Sequence, residues 1–594
     1  MKTPRRRFLS LLGGALAACA RAVLRQPEAA QASGVRPQAS GEAAPDAGAP
    51  VVATPDAGSE QLFSGAPAPD DPLELLYSRR LSFEDGQPLV TVRVAEGRRE
   101  IALNPRGPLL VLARTAKGET QAAVSAGPAG RWILRLAESA PGVGASWVEL
   151  EQVAFENKAD LQRAREEWAA RGVPVRIATV GEAYGIAGHV VDTRRYAVLA
   201  EGDATESGAR RQLAELSAKF GLRAQLHREL SVRPGGRIEL RDPLGNLAAT
   251  GESALELRAE AGITVDAVEF GMGYSFHGFE DRTYPGRLFA TVDASGALAL
   301  VAAVPMEKLV KGVVPSEIFA RAHLEALKAQ AVTARGEVLA KIGARHLGDP
   351  YLLCAEQHCQ VYKGVAAEEP GPAAAVDATR GEALFADVQG ASRLVDSVYS
   401  AVCGGFTEDN DAVWGGPPNP SLRGRPDFDL RAPGMAPYAD GIGEALVSRF
   451  VHLNPVPSYC ALSGLARPDK VRWKKAFTQG EVDEICAGLG VGAVRALAVE
   501  GRGVSGRARA LRVEGSRGAA RVYGELAIRR LFRNLNSGMF VVERASADWV
   551  FTGGGWGHGS GMCQTGAIGR AERGASYREI LGWYYSGAAT VRVY

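Results

Sequence analysis

One helix face dominates the pattern of this chain. Leu324, Leu327, Ala331, Ala334, Val338 and Ile342 recur at three- and four-residue spacing, an apolar stripe that predicts a helix with one buried face over residues 322–343. Most of what precedes it reads differently. From about 74 to 150, short alternating runs such as Leu89-Val90-Thr91-Val92-Arg93-Val94 lie between Gly, Pro and Asn-Pro punctuation, which is the pattern of β-strands. A helix that must bury a face within a strand-rich chain predicts an α+β fold. With 594 residues, 46% of them hydrophobic, the chain exceeds one ordinary core, so a multidomain, β-rich protein is expected.

The charge balance narrows the partners. Lysine plus arginine is 69 against 67 acidic residues, which gives no field for neutralising phosphates, so nucleic acid is not an expected partner. The first 19 residues read as an export signal. Arg5-Arg6-Arg7-Phe8-Leu9 is a twin-arginine-like run, and the apolar stretch after it is too short to span a bilayer and ends at Leu16-Ala17-Ala18-Cys19. This resembles a lipoprotein signal, which implies that Cys19 carries the lipid and that the protein is exported and anchored in the cell envelope by that lipid alone; an ordinary signal peptide with an incidental cysteine is the alternative. Six further cysteines then face an oxidising compartment: Cys354, Cys359, Cys403, Cys460, Cys486 and Cys563.

Residues 20–73 are dominated by Ala, Pro, Gly, Ser and Asp and repeat Pro-Asp-Ala-Gly at Pro45 and Pro55, the composition of a disordered linker. A β-rich module is expected over 74–146. From 147 to 232 the order becomes strand, helix, strand, strand (Val190 to Leu199), helix, strand, which is the ferredoxin-like split arrangement. That order resembles the SPOR modules, which implies binding to glycan strands stripped of their peptides; a structural insert without a ligand is the alternative.

The chemistry-bearing residues lie in the C-terminal half, the region expected to form the last domain, 233–594. Glu317 ends Lys311-Gly312-Val313-Val314-Pro315-Ser316-Glu317 and precedes the motif helix, and beyond Pro315 the backbone is not expected to be mid-helix, so this carboxyl can be aimed into a cleft. A capping role near a helix N-terminus is the plainer alternative. His346, Cys354, His358 and Cys359 fall within 14 residues, a metal-like spacing, although a Cys354–Cys359 disulfide remains open. Two glycine-rich motifs follow, Val402-Cys403-Gly404-Gly405-Phe406-Thr407-Glu408 with Trp414-Gly415, and Gly553 to Ala567. The second lacks the Lys-Ser/Thr of a phosphate loop, and its glycines around Trp556 and His558 suit a close approach to an extended ligand with an aromatic face for a sugar ring.

Together these four motifs resemble the SpoIID/LytB family over about residues 284–594. The resemblance implies a SpoIID-type core in which Glu317 is the catalytic acid/base of a lytic transglycosylase that cleaves between muramic acid and glucosamine to leave 1,6-anhydro ends. It also implies zinc, in a structural role, on His346, Cys354 and Cys359. His358, Gln360, Trp556, His558 and Gln564 would then line the substrate cleft. Glu325, beside apolar helix positions, is expected to be structural. Since the family's two glycine-rich motifs converge on one cleft, Cys403 and Cys563 are expected to pair, leaving Cys460 with Cys486 in an insertion over about 417–490. The expected partner is peptidoglycan glycan. The alternative is a non-catalytic peptidoglycan-binding enhancer of a cell-wall amidase; a zinc amidase is weaker, because no adjacent pattern supplies an activated water with its base.

Overall fold

The computed structural model describes residues 71–124, 130–186, 188–221, 224–274, 276–388 and 390–594. The signal segment with Cys19 and the linker as far as residue 70 lie outside them. The described chain is β-rich and mixed with helices, an α+β architecture of several packed parts.

Two sheets interleave segments from both sides of the ferredoxin-like region. In one, Gln87–Arg98 pairs with Leu298–Pro305, followed by Arg287–Val292, Ala254–Arg258 and Leu110–Arg114, all antiparallel. In the other, Trp132–Ala140 lies between Gly235–Arg241 and Glu100–Pro105, and the last also pairs with Ile263–Phe270. Residues 74–146 are therefore not a separate module, and the region from 233 onward does not stand apart from them. The cause is visible in Leu298–Pro305, which is buried at every position but its last. A strand buried on both faces needs neighbours and covering layers that no single segment here supplies.

Ala140 and Gly235 are register partners, so residues 141–234 leave and re-enter the sheet at one point. Four strands there, Val143–Ala154, Val175–Val180, Arg195–Ala200 and Gln225–Val232, stand in the order fourth, first, third, second, all antiparallel, with Lys158–Ala170 and Glu206–Phe220 on them. That is the ferredoxin-like order, and Val148, Trp168, Val198 and Leu216 give it a core of its own. The strand expected from Val190 to Leu199 is broken. Its first part, His189–Asp192, forms a hairpin with Ala183–Ile186. Ile186 and Val191 of this hairpin are buried in the main core, and Tyr184 Oη donates to the Leu339 carbonyl at 2.6 Å.

The motif helix is Leu324–Lys341. It is buried around nearly its whole circumference, with only Leu324 among the expected apolar positions strongly exposed, at 44%. The helices Met306–Glu317, Pro370–Ala378, Gln564–Ala571 and Tyr577–Tyr584 pack around it. Its polar residues are paired accordingly: Arg335 bonds both oxygens of Glu307 at 2.9 Å, and Tyr594 Oη donates to Glu307 Oε1 at 2.6 Å.

Residues 417–471 contribute Leu422, Phe428, Tyr438, Phe450 and Val456 to the main core, whereas Trp473 to Phe551 enclose a second core with Val482, Leu511, Phe532 and Phe540. The second core thus begins inside the expected insertion at 417–490 and runs beyond its end. The cysteine pairing changes with it. Cys460 belongs to the main core and Cys486 to the second, so they do not meet. Cys403 stands beside both Cys460, Sγ to Sγ 3.8 Å, and Cys563, whose sulfur accepts the Cys403 N–H at 3.1 Å, and all are thiols. Two expected bridges give way to a three-cysteine group and a distant Cys486.

Candidate active site

Glu317 is the last residue of Met306–Glu317, with Pro315 inside that helix. It thus stands at a helix terminus and not in mid-helix. Pro315 removes the N–H that would bond the Lys311 carbonyl, and the helix runs on only to Glu317 before Ile318 turns extended. Gly312 lets this helix approach the next loop, since a Cβ there would sit 2.5 Å from the Tyr362 ring. The close approach brings the Val361 N–H to Glu317 Oε1 at 2.7 Å. The second carboxylate oxygen accepts no hydrogen bond among the described residues, and the residue lines a cleft of about 2700 Å³.

Burial is the main force on this carboxyl and pushes its pKa up to about 7; the Val361 bond and Lys341 oppose the rise, and Glu337 adds to it. Glu317 is therefore substantially protonated near neutrality while remaining able to lose its proton. Glu337 was not singled out from sequence. It sits on the motif helix, ion-paired with Lys341, whose Nζ also donates to the Cys359 carbonyl at 2.7 Å. A charged pair four residues apart on an otherwise buried helix was the signal available.

Ligand atoms of His346, Cys354, His358 and Cys359 all lie within 4.8 Å of one another. His346 Nε2 is 3.3 Å from Cys359 Sγ, and His358 Nδ1 is 3.7 Å from Cys354 Sγ and 3.6 Å from Cys359 Sγ. His346 Nδ1 bonds Asp349 at 2.9 Å, the outer contact that orients a ligating imidazole. The Cys359 thiol is drawn down to about 6, chiefly by a hydrogen bond from Cys354 with Lys341 and Arg345 adding, so it is readily a thiolate. Two thiols and two imidazoles at this spacing are a donor set that suits tetrahedral zinc. His358, part of the metal-like spacing but given a cleft-lining place by the resemblance, lies both on the cleft and within this group.

The two glycine-rich motifs meet. Val402 and Trp556 exchange backbone hydrogen bonds at 3.1 and 2.7 Å, and Glu408 N–H donates to the Gly559 carbonyl at 2.9 Å. Gly404 and Gly555 permit this, both at positive φ, with a Cβ on Gly404 falling 2.8 Å from Gly555 N. The result is an aromatic wall on the cleft. Trp414 and His558 rings lie 4.9 Å apart, Trp556 carries Lys470 Nζ at 4.4 Å from its centroid, and Trp414 and Trp556 remain 48% and 37% exposed. Burial and Arg507 push His558 down to about 3, so it is neutral, and its Nδ1 accepts from Ser560 N–H.

Gln360 is placed differently from expectation. Its amide is spent inside the protein, donating to the Ala334 carbonyl at 3.0 Å and accepting from Tyr399 Oη at 2.9 Å. Gln564 reaches the cleft wall, but its Nε2 donates to Gln330 at 3.1 Å. Glu325 bonds Lys328 Nζ at 2.7 Å and the Tyr577 N–H at 2.8 Å, both structural contacts.

Residues 294–385, which hold both helices and the His/Cys loop, match the SpoIID family, described as stage II sporulation protein. That stretch is similar to the SpoIID-type family. Residues 408–561 match a domain of unknown function, which takes in the second core together with Trp414, Trp556 and His558. An uncharacterized protein of Brachyspira hyodysenteriae is 27% identical over 345 residues, 57% of this chain and 81% of that protein. A Bacillus subtilis protein named amidase enhancer is 26% identical over 292 residues, 47% of this chain and 39% of that one. The SpoIID-type match and this relative give the chain a role related to the cell wall.

Proposed function

We propose that this SpoIID-type protein is a peptidoglycan lytic transglycosylase. The observation that carries the reading is Glu317, a carboxyl held near a pKa of about 7, with one oxygen fixed by Val361, in a residue that lines the cleft. Protonated Glu317 gives its proton to the oxygen linking muramic acid C1 to glucosamine, and that C1–O bond breaks with glucosamine leaving as the alcohol. The resulting carboxylate takes the proton from the muramic acid 6-hydroxyl, whose oxygen bonds C1. A 1,6-anhydro ring forms, Glu317 is again protonated, and no water is consumed. One residue thus serves as acid and then base, whereas a hydrolase divides the work between two carboxylates. Glu337 is committed to Lys341.

Trp414, Trp556 and His558 offer sugar rings an apolar wall, and the ferredoxin-like module contributes Gln152, Arg195 and His227 to the same cleft, in keeping with a SPOR-like, glycan-binding role. Zinc on His346, Cys354, His358 and Cys359 would be structural, because four protein donors fill a tetrahedral ion. It would fix the loop that presents Val361. A lipid on Cys19 would hold the protein at a membrane of the cell envelope.

The relative named amidase enhancer favours a second reading, a binding protein that stimulates a cell-wall amidase. Muropeptide analysis of glycan treated with the purified protein separates the two, since only the enzyme makes anhydro-muramyl ends without a partner.

A further inference from the structure

We propose that Cys403, Cys460, Cys563 and Asp427 bind a second zinc ion, buried behind the cleft and distinct from the His/Cys loop. Their ligand atoms lie within 4.8 Å of one another and all four residues are fully buried. Cys403 and Cys460 sulfurs are 3.8 Å apart, and Cys403 Sγ is 3.3 Å from Asp427 Oδ2. The edges of a tetrahedron with zinc–sulfur bonds of about 2.3 Å and a zinc–oxygen bond of about 2.0 Å are about 3.8 and 3.5 Å. A cluster of several irons would give each thiolate its own metal atom and hold the sulfurs farther apart.

The surroundings are those of thiolates. Gly405 N–H points at Cys403 Sγ at 3.4 Å, Gly566 N–H at Cys563 Sγ at 3.2 Å, Cys403 N–H at Cys563 Sγ at 3.1 Å, and Ser458 Oγ lies 3.2 Å from Cys460 Sγ. Asp427 divides its oxygens: Oδ1 accepts from Tyr584 Oη at 2.7 Å and from Arg570 at 3.2 Å, while Oδ2 faces the sulfurs. This outer partnering of one oxygen orients the other as a ligand. Three thiolates and a carboxylate leave zinc with two excess negative charges. Beside them lie the ion-paired Arg570, and Arg472 and Arg507, which donate to the Gly404 and Cys403 carbonyls at 2.8 and 3.0 Å. Soft sulfur donors select zinc over calcium or magnesium. Loading releases the thiol protons to solvent and forms three Zn–S bonds and one Zn–O bond. The ion would tie the two glycine-rich motifs to the segments around residues 427 and 460, cross-linking the wall that carries Trp556.

The test counts zinc by mass spectrometry in the full chain, loaded with zinc alone. We expect about two ions per wild-type chain, and about one in Cys354→Ser/Cys359→Ser, whose X-ray absorption reports about three sulfur and one oxygen neighbours. Cys460→Ser should lower the wild-type count by about one. A folded Cys354→Ser/Cys359→Ser variant without zinc overturns the proposal, as does a wild-type peptide map with a disulfide among Cys403, Cys460 and Cys563. Should the variants not fold, wild-type X-ray absorption decides: about 2.5 sulfurs per zinc supports the second site, and about 2 overturns it.

Discussion

The backbone N–H of Val361 donates to Oε1 of Glu317 at 2.7 Å, and Val361 lies two residues beyond Cys359. The His/Cys group and the acid are therefore mechanically joined. Chelating zinc, or Cys354→Ser, should let the loop relax and reduce activity by about 10- to 100-fold, the usual cost of disturbing a metal site's support. The lost N–H had favoured the carboxylate, so the Glu317 pKa should rise as zinc leaves. Activity and its pH profile measured against zinc content check both effects.

The pH dependence follows from the raised carboxyl. Free enzyme needs protonated Glu317, so kcat/KM should fall about tenfold per pH unit above about 7. Glu337→Gln removes the like charge and leaves Lys341 unpaired, and both changes favour the carboxylate, so the falling limb should move to lower pH. The stability sign is the reverse of a salt-bridged acid. A carboxyl raised from about 4.3 in the unfolded chain to about 7 contributes stability that is full below the first value and lost as pH rises through the second. Thermal melts should therefore show Glu317→Gln more stable than wild type above pH 7.

The aromatic wall should act mainly in binding. Trp414→Ala and Trp556→Ala are each expected to raise KM by about 3- to 10-fold, corresponding to about 0.5–1.5 kcal/mol, with kcat little changed. Steady-state kinetics on defined glycan oligomers check this.

Arg335 is structural. Its side chain is fully buried against Glu307, so Arg335→Ala leaves an unpaired buried charge and should cost about 3–5 kcal/mol, read from urea unfolding.

Some of this was legible in the sequence, for reasons that differ by residue. Glu317 and the His/Cys loop could be named as candidates because their residues sit in contiguous motifs. The helix expected over 322–343 was recognisable by its periodicity, but its burial on every side was not, since Arg335 and Gln330 find their partners, Glu307 and Gln564, far away in sequence. The interleaving of 74–146 with 233–305 is a long-range pairing that alternation within a strand does not encode. Trp414 and Glu337 were missed as site residues because they become neighbours of Glu317 or His558 only through folding. The Cys403, Cys460 and Cys563 group defeated pairwise reasoning, as the three are far apart in sequence and share one centre with Asp427.

The most direct test of the central claim is mass analysis of the products from purified glycan strands stripped of peptides. Wild-type protein should release muropeptides with 1,6-anhydro ends, and Glu317→Gln, which keeps volume but cannot exchange a proton, should release them at a rate lower by about a hundred- to ten-thousand-fold while still binding glycan. Glu325→Gln should retain most activity. No anhydro ends from wild type, with or without a partner amidase, would contradict the transglycosylase account, and anhydro ends formed equally well by Glu317→Gln would contradict the assignment of its acid.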